Sequence, residues 1–294
     1  LLGIVTILVP MVTSYFGWPF TDGVIILKQM EDIANGLTPY TDMHLNYPPL
    51  WFYMMIGLKK LFHLPYGCYA FYLTIHYIFV VAVATGVYGI SREMKVSNAI
   101  ALFTAWLFMM ISHFMLGNNI MFEMPSMAFG MCAIYLTLRL RNSTVWHFLY
   151  IGIIACCAFL VKQFGLGYLL LILYLILFVT TDKKCARIGL FMAGYCLPLI
   201  ICYLIWQNRI VDSVLFNGYG TKIAVLRGEA LTFSTRAGSI LKALLYFGSK
   251  GAPLILGAFL LTPFIIKANY WREYFLCLAG IFGFALQYFF MQFN

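Results

Sequence analysis

Charge is what this sequence has least of. Of its 294 residues, 19 are Lys or Arg and 10 are Asp or Glu, so that 10% are charged, where an ordinary soluble domain has about 25%. So few charges cannot cover a globule of this size, which excludes a large soluble domain, and a hydrophobic content of 63% excludes disorder. No CxxC pair occurs among Cys68, Cys132, Cys156, Cys157, Cys185, Cys196, Cys202 and Cys277, and most of them sit in apolar runs as small hydrophobes. They therefore indicate neither a disulfide scaffold nor a metal site. The patterns GxxxxGK[ST], GxGxxG, GxSxG and HExxH are also missing, which removes support for a P-loop, a dinucleotide fold, a serine-hydrolase elbow or a zincin. The formal net charge of +9 does not point to nucleic acid, because the bases punctuate apolar segments instead of gathering on one soluble face.

What the sequence does have is a series of apolar runs of about 15–20 residues, the length that crosses the roughly 30 Å hydrocarbon core of a bilayer. The expected fold is an all-α integral membrane protein, a polytopic helical bundle forming a single transmembrane domain over 1–294. Spans are predicted near 2–20, 67–91, 98–116, 124–139, 146–161, 165–180, 188–208, 250–266 and 274–291, each bounded by charge or by Pro and Gly. The chain opens on Leu1 inside an apolar run and stops at Asn294 with no polar tail, which reads as truncation at both ends. If the spans alternate, the short basic connections Arg92–Lys95, Arg139–Arg141, Lys183–Arg187 and Lys267–Arg272 share one side, and the positive-inside rule makes that side cytoplasmic. The outer side then receives two long connections, 21–66 and 209–249, and the turns at Asn118–Glu123 and Lys162–Gln163. No internal repeat is evident, which weakens a transporter built from inverted halves.

The first outer loop carries Asp22, Glu31, Asp32 and Asp42. Its start reads as a short amphipathic helix over 23–35, with Lys28 spaced to pair with Glu31 and Asp32. Trp51–Leu61 is apolar but too short to span, and is expected along the interface with Lys59 and Lys60 reaching toward headgroups. Asp22 stands just past the outer end of the first span. It serves either as a first-turn helix cap or, partly desolvated, as a base with a raised pKa that takes a proton from a hydroxyl nucleophile. Asp42 precedes His44 and Tyr47-Pro48-Pro49, with Tyr40 close by. An Asx turn accounts for it, and His44 beside these acids is the one weak hint of a metal ligand set. Glu123 opens a span ahead of Met124-Pro125, as a dipole-favoured first-turn acid or a functional carboxylate. Lys162 interrupts the apolar stretch Phe148–Phe178; it either snorkels outward or holds a phosphate at the outer leaflet.

The run Asp22-Gly23, then Glu31-Asp32-Ile33-Ala34-Asn35-Gly36-Leu37-Thr38-Pro39-Tyr40-Thr41-Asp42, then Asn46-Tyr47-Pro48-Pro49-Leu50 resembles the first outer loop of GT-C-fold glycosyltransferases. It is similar to that of the bacterial relatives of dolichyl-phosphate-mannose protein mannosyltransferases and of lipid A aminoarabinose transferases. The resemblance implies that Asp22 is the catalytic carboxylate and that Glu123 takes the place of a second acid, often Asp, at the start of a span. It implies that Phe159-Leu160-Val161-Lys162-Gln163 is the Lys-containing turn beside the donor's lipid phosphate. By the same resemblance some of Arg209, Lys222, Arg227 and Arg236 of the basic outer loop help Lys162 neutralise that phosphate, and Asp42, His44, Tyr40 and Tyr47 shape the loop or meet the acceptor. Relatives commonly continue past a stretch like Leu286–Asn294 into a His-Tyr and further spans, and this sequence does not.

The expected activity is transfer of a sugar, with inversion, from a polyprenyl-phosphate carrier to a glycan, lipid or protein hydroxyl. The expected place is the outward face of a multi-pass protein of the cytoplasmic membrane. Nucleic acid is no partner in this reading, membrane lipid is, and a divalent metal is left open as a cofactor. The rival is a lipid-linked-sugar flippase or transporter without covalent chemistry. It calls for ionisable residues along a mid-membrane path, whereas Asp22, Asp42, Glu123 and Lys162 gather toward one face. A noncatalytic assembly subunit is the third reading.

Overall fold

Long apolar stretches with few β-branched alternations and no period of two form helices, and a computed structural model of the chain bears this out. It describes the backbone of residues 22–43, 45, 47–63, 69–116, 122–162, 165–180 and 182–211. The chain divides into two compact units, Leu1–Ser213 and Val214–Asn294, and the described residues all lie in the first. The expected spans 2–20, 250–266 and 274–291 lie outside the described residues.

Among the described residues the structure is helical and contains no strand beyond an isolated bridge between Pro39 and Met43. The helices are α1 (Asp22–Ala34), α2 (Leu50–Leu61), α3 (Tyr69–Glu93), α4 (Asn98–Leu116), α5 (Glu123–Arg139), α6 (His147–Val161), α7 (Leu166–Val179), α8 (Lys184–Trp206) and α9 (Asn208–Val211). The six from α3 to α8 fall where the hydropathy pattern predicts spans. Two stretches, Thr74–Glu93 of α3 and Lys184–Trp206 of α8, are long and apolar enough to cross a bilayer, while Asn98–Met109, His147–Val161 and Leu166–Val179 are apolar but shorter. Large apolar side chains stand exposed on the outside of several helices, among them Ile78, Ile100, Phe103, Leu170, Phe178 and Leu204.

The packing fixes which helix ends lie together. α6 and α8 lie backbone against backbone: a Cβ on Gly152 would come within 2.1 Å of the Phe191 carbonyl oxygen, and one on Gly194 within 2.0 Å of that of Leu149. Only residues without a side chain allow two helices to approach this closely. The two run the same way, since Arg187 near the start of α8 donates to the carbonyls of Arg141 and Ser143, just ahead of α6. α5 runs opposite to α6, with Ser126 Oγ donating to the Ala158 carbonyl at 2.8 Å. α3 runs with α5, bringing Gly86 against Met131 and Glu93 to Arg139, whose guanidinium lies 3.1 Å from the Glu93 carboxylate.

One end of this bundle therefore holds the basic turns 92–97, 139–146 and 182–187. The opposite end holds the start of α5, the end of α6 and the end of α8.

At the first loop the amphipathic reading holds, with the helix at Asp22–Ala34 and Lys28 paired to Glu31 at 3.3 Å and to Asp32 at 3.0 Å. The expectation for α2 needs correction. Its face of Trp51, Phe52, Met55, Ile56 and Lys59 is buried, so Lys59 points into the protein instead of toward headgroups, and its ammonium sits 5.1 Å from the centre of the Tyr72 ring. A lysine stem covers apolar surface well, and an aromatic face compensates part of the charge's lost hydration. Lys60 is exposed, as expected. At the far end of α8, Gln207 breaks the helix with φ 51° and ψ −142°, a conformation that costs a side-chain-bearing residue about 1–3 kcal/mol and persists only where surrounding contacts hold it.

Candidate functional site

Glu123 and Lys162 are 39 residues apart in sequence and form an ion pair. The hairpin geometry of α5 and α6 brings them together: Glu123 is the first residue of α5, and Lys162 follows the last residue of α6 in an extended conformation. Their side chains are 24% and 13% exposed, respectively, so the pair sits in a partly dry setting. Lys162 Nζ donates to Glu123 Oε1, while Glu123 Oε2 is buried and accepts no hydrogen bond. A buried carboxylate oxygen without a donor is unfavourable by roughly 1–3 kcal/mol. It is ready to accept a hydrogen bond from a hydroxyl.

The first loop closes over this pair. The Tyr47 ring stacks on Phe122 with centroids 4.3 Å apart, and the Lys162 ammonium lies 6.0 Å from the Tyr47 ring centre. Trp51 and Phe52 of α2 meet Phe122 from other sides at 6.2 Å and 5.6 Å, and Trp51 Nε1 is a second buried polar atom with no partner. Aromatic rings beside an unpartnered indole N–H and an unpartnered carboxylate oxygen suit a polyhydroxylated ligand, since the apolar faces of a sugar pack on rings while its hydroxyls bond at the rim.

The loop holds its own shape through local hydrogen bonds. The Asp42 carboxylate accepts from the Thr38 amide at 2.7 Å, closing the loop backward rather than forming the expected Asx turn toward the Pro pair, and Tyr40 Oη donates to the Tyr47 carbonyl at 2.6 Å. Tyr40 adopts φ 65°. Burial pushes its phenol well above the ordinary range, with smaller contributions from Cys202 and Tyr53, which keeps it a neutral donor. Arg209, expected among the phosphate contacts, donates from Nη1 to Thr41 Oγ1 at 2.8 Å.

The structure thus gathers Glu123, Lys162, Tyr47, Tyr40, Asp42 and Arg209 at one end of the bundle. Asp22 begins α1, but its side chain lies outside the described residues, as do His44, Lys222, Arg227 and Arg236. Among the described residues no group of three or more His, Cys, Asp and Glu side chains is placed to hold a metal ion.

Sequence reasoning missed Phe122, Trp51 and Trp206. Trp206 packs edge-on to Tyr40 at 5.7 Å and against Tyr53 at 6.0 Å; an aromatic at a span's end was the available signal. The chain matches no family model, no curated protein and no solved structure.

Proposed function

We propose that the chain is a membrane glycosyltransferase of GT-C type that moves a sugar from a polyprenyl-phosphate donor to an acceptor hydroxyl at the outer face of the cytoplasmic membrane. The observation that carries this reading is the Glu123–Lys162 pair with its unpartnered carboxylate oxygen, set under Tyr47 at a helix-end boundary. An acid beside a cation at such a boundary is what the transfer requires. The acceptor oxygen attacks the anomeric carbon, the carbon–phosphate oxygen bond breaks with inversion, and the hydroxyl proton passes to a carboxylate while polyprenyl phosphate departs as an anion. In this scheme Asp22 takes the proton, Glu123 Oε2 accepts from a sugar or acceptor hydroxyl and aligns it, and Lys162 offsets charge building on the leaving phosphate.

Two further features support a bilayer setting. The exposed apolar faces of α3, α4, α7 and α8 need covering by something as apolar as themselves. The opposite end of the bundle carries Arg92, Lys95, Arg139, Arg141, Lys183 and Lys184, which by the positive-inside rule directs the Glu123–Lys162 end outward.

The test is transfer of radiolabelled sugar from a panel of polyprenyl-phosphate donors by the purified protein in detergent, alongside Asp22→Asn. A general base contributes about 10²–10⁴-fold, and a loss of that order in a folded variant that still binds donor is expected. Equal turnover in the two proteins would remove Asp22 from the mechanism. Absence of transfer from every donor, together with donor movement across proteoliposomes, would replace the transferase by the flippase.

A further inference from the structure

We propose that Trp206 and Arg209 form a latch that holds the first loop closed over the Glu123–Lys162 pair, making Arg209 a positioning residue and not a phosphate ligand. The proposal rests on the functional reading only for what the closed site contains; the latch itself is argued from contacts.

A continuous set of contacts leads from the end of α8 to the ion pair. Arg209 Nη1 donates to Thr41 Oγ1 at 2.8 Å. Beside Thr41, the buried Tyr40 packs edge-on to Trp206 at 5.7 Å, and its hydroxyl donates to the Tyr47 carbonyl at 2.6 Å. Tyr47 in turn stacks on Phe122, with the Lys162 ammonium 6.0 Å from its ring centre. Trp206 also meets Tyr53 of α2 at 6.0 Å, so one indole ties together the loop and the helix that follows it.

Backbone conformation on both sides of the latch is of the kind that contacts must maintain. Tyr40 has φ 65° and Gln207 φ 51°, and neither is a glycine. Gln207 sits between Trp206 and Arg209, so its unfavourable conformation is what turns both side chains onto the loop. A strained residue flanked by the groups that restrain it relaxes when they let go. The Arg209–Thr41 bond is exposed and singly weak, whereas Trp206 is buried. The exposed bond can therefore break and reform while the indole guides the loop back.

A phosphate ligand and a latch differ in what Thr41 does. A phosphate-binding Arg209 would work the same with valine at position 41, whereas a latch loses its acceptor. The readout is acylation of Lys162 by an amine-reactive ester in the full chain in detergent, mapped by mass spectrometry, with Lys95 and Lys183 at the opposite end as internal references. It needs no substrate, so it stands or falls independently of sugar transfer.

Arg209→Ala and Thr41→Val are each expected to raise Lys162 labelling several-fold over the references, with no further rise in the double variant. Thr41→Asp, which supplies a charged acceptor, is expected to lower it. Thr41→Val labelling like the wild type would overturn the latch, and so would a rise shared equally by Lys95 and Lys183 or effects that simply multiply in the double variant.

Discussion

The two ends of the helical bundle each contain a cation held between helices, and they use it differently. At the basic end Arg187 is 1% exposed; it donates to the Arg141 and Ser143 carbonyls, pairs with Asp182 at 2.9 Å and lies 5.3 Å over the Phe148 ring. Its partners are backbone carbonyls at the turn before α6 and a carboxylate that is itself 57% exposed, so the arrangement fastens the turn to α8 and presents nothing to a ligand. Only Nε of the guanidinium lacks a partner. At the other end Lys162 meets a partly exposed carboxylate whose buried Oε2 accepts no hydrogen bond, beside a ring that a single loop carries. Arginine's planar fork suits the first task because it bonds several carbonyls at once, while a lysine point charge suits the second because it leaves the geometry around it adjustable. Two cations held between helices can thus be sorted into fastening and function by what their partners still have to offer.

Breaking the fastening should have the largest effect. Arg187→Met leaves two carbonyls without donors, at about 1–3 kcal/mol for each such group. The unfolding free energy of the detergent-solubilised protein should fall by that total, while any variant molecules that remain folded carry out the proposed transfer normally. Loss of transfer without loss of stability would reverse the assignment of the two ends.

Lys162→Met comes next, because it leaves the Glu123 carboxylate, whose Oε2 is buried, with neither oxygen paired. A cost of about 2–3 kcal/mol is expected, larger than that of Glu123→Gln, which keeps an acceptor for Lys162. A double-mutant cycle between the two positions should give a coupling energy well clear of zero. Additivity within error would mean that the pair is not an interacting unit in solution.

Tyr40→Phe removes the donor to the Tyr47 carbonyl and should cost about 1 kcal/mol. The pH dependence has a definite sign. Burial raises the Tyr40 phenol above its ordinary value, so the folded state favours the neutral form. The stability this contributes is complete below the unfolded phenol's pKa of about 10 and is lost as pH rises beyond it. Alkaline unfolding of the wild type should therefore be steeper than that of Tyr40→Phe, and identical slopes would show that the phenol is not dry. The smallest effect is expected at Gly57 of α2, where a Cβ would meet nothing within 4 Å. Gly57→Ala should stabilise by up to about 1 kcal/mol through helix propensity alone, leaving the site end otherwise unchanged.

Much of the helical layout was legible in the sequence, because burial in an apolar medium and burial in a protein core both demand long apolar runs ended by charge, Pro or Gly. Helices α3 to α8 appear at the predicted places for that reason. The Lys28 pairs of α1 follow from a spacing of three and four residues. Lys59 was misread because composition marks an apolar helix without revealing which face is covered. That face is set by Tyr72 of α3, a neighbour across the bundle.

By itself, then, the sequence determined that the chain is helical and apolar, and which of its residues stand at helix ends, since those properties depend on a residue and its near neighbours. Only the tertiary structure decided that Glu123 and Lys162 meet, that Tyr47 lies beside them and that Arg209 reaches Thr41. Those contacts join positions separated by as many as 168 residues. They depend on Gly152 and Gly194 letting two helices touch and on a turn of backbone at Gln207, which no local pattern of hydropathy encodes.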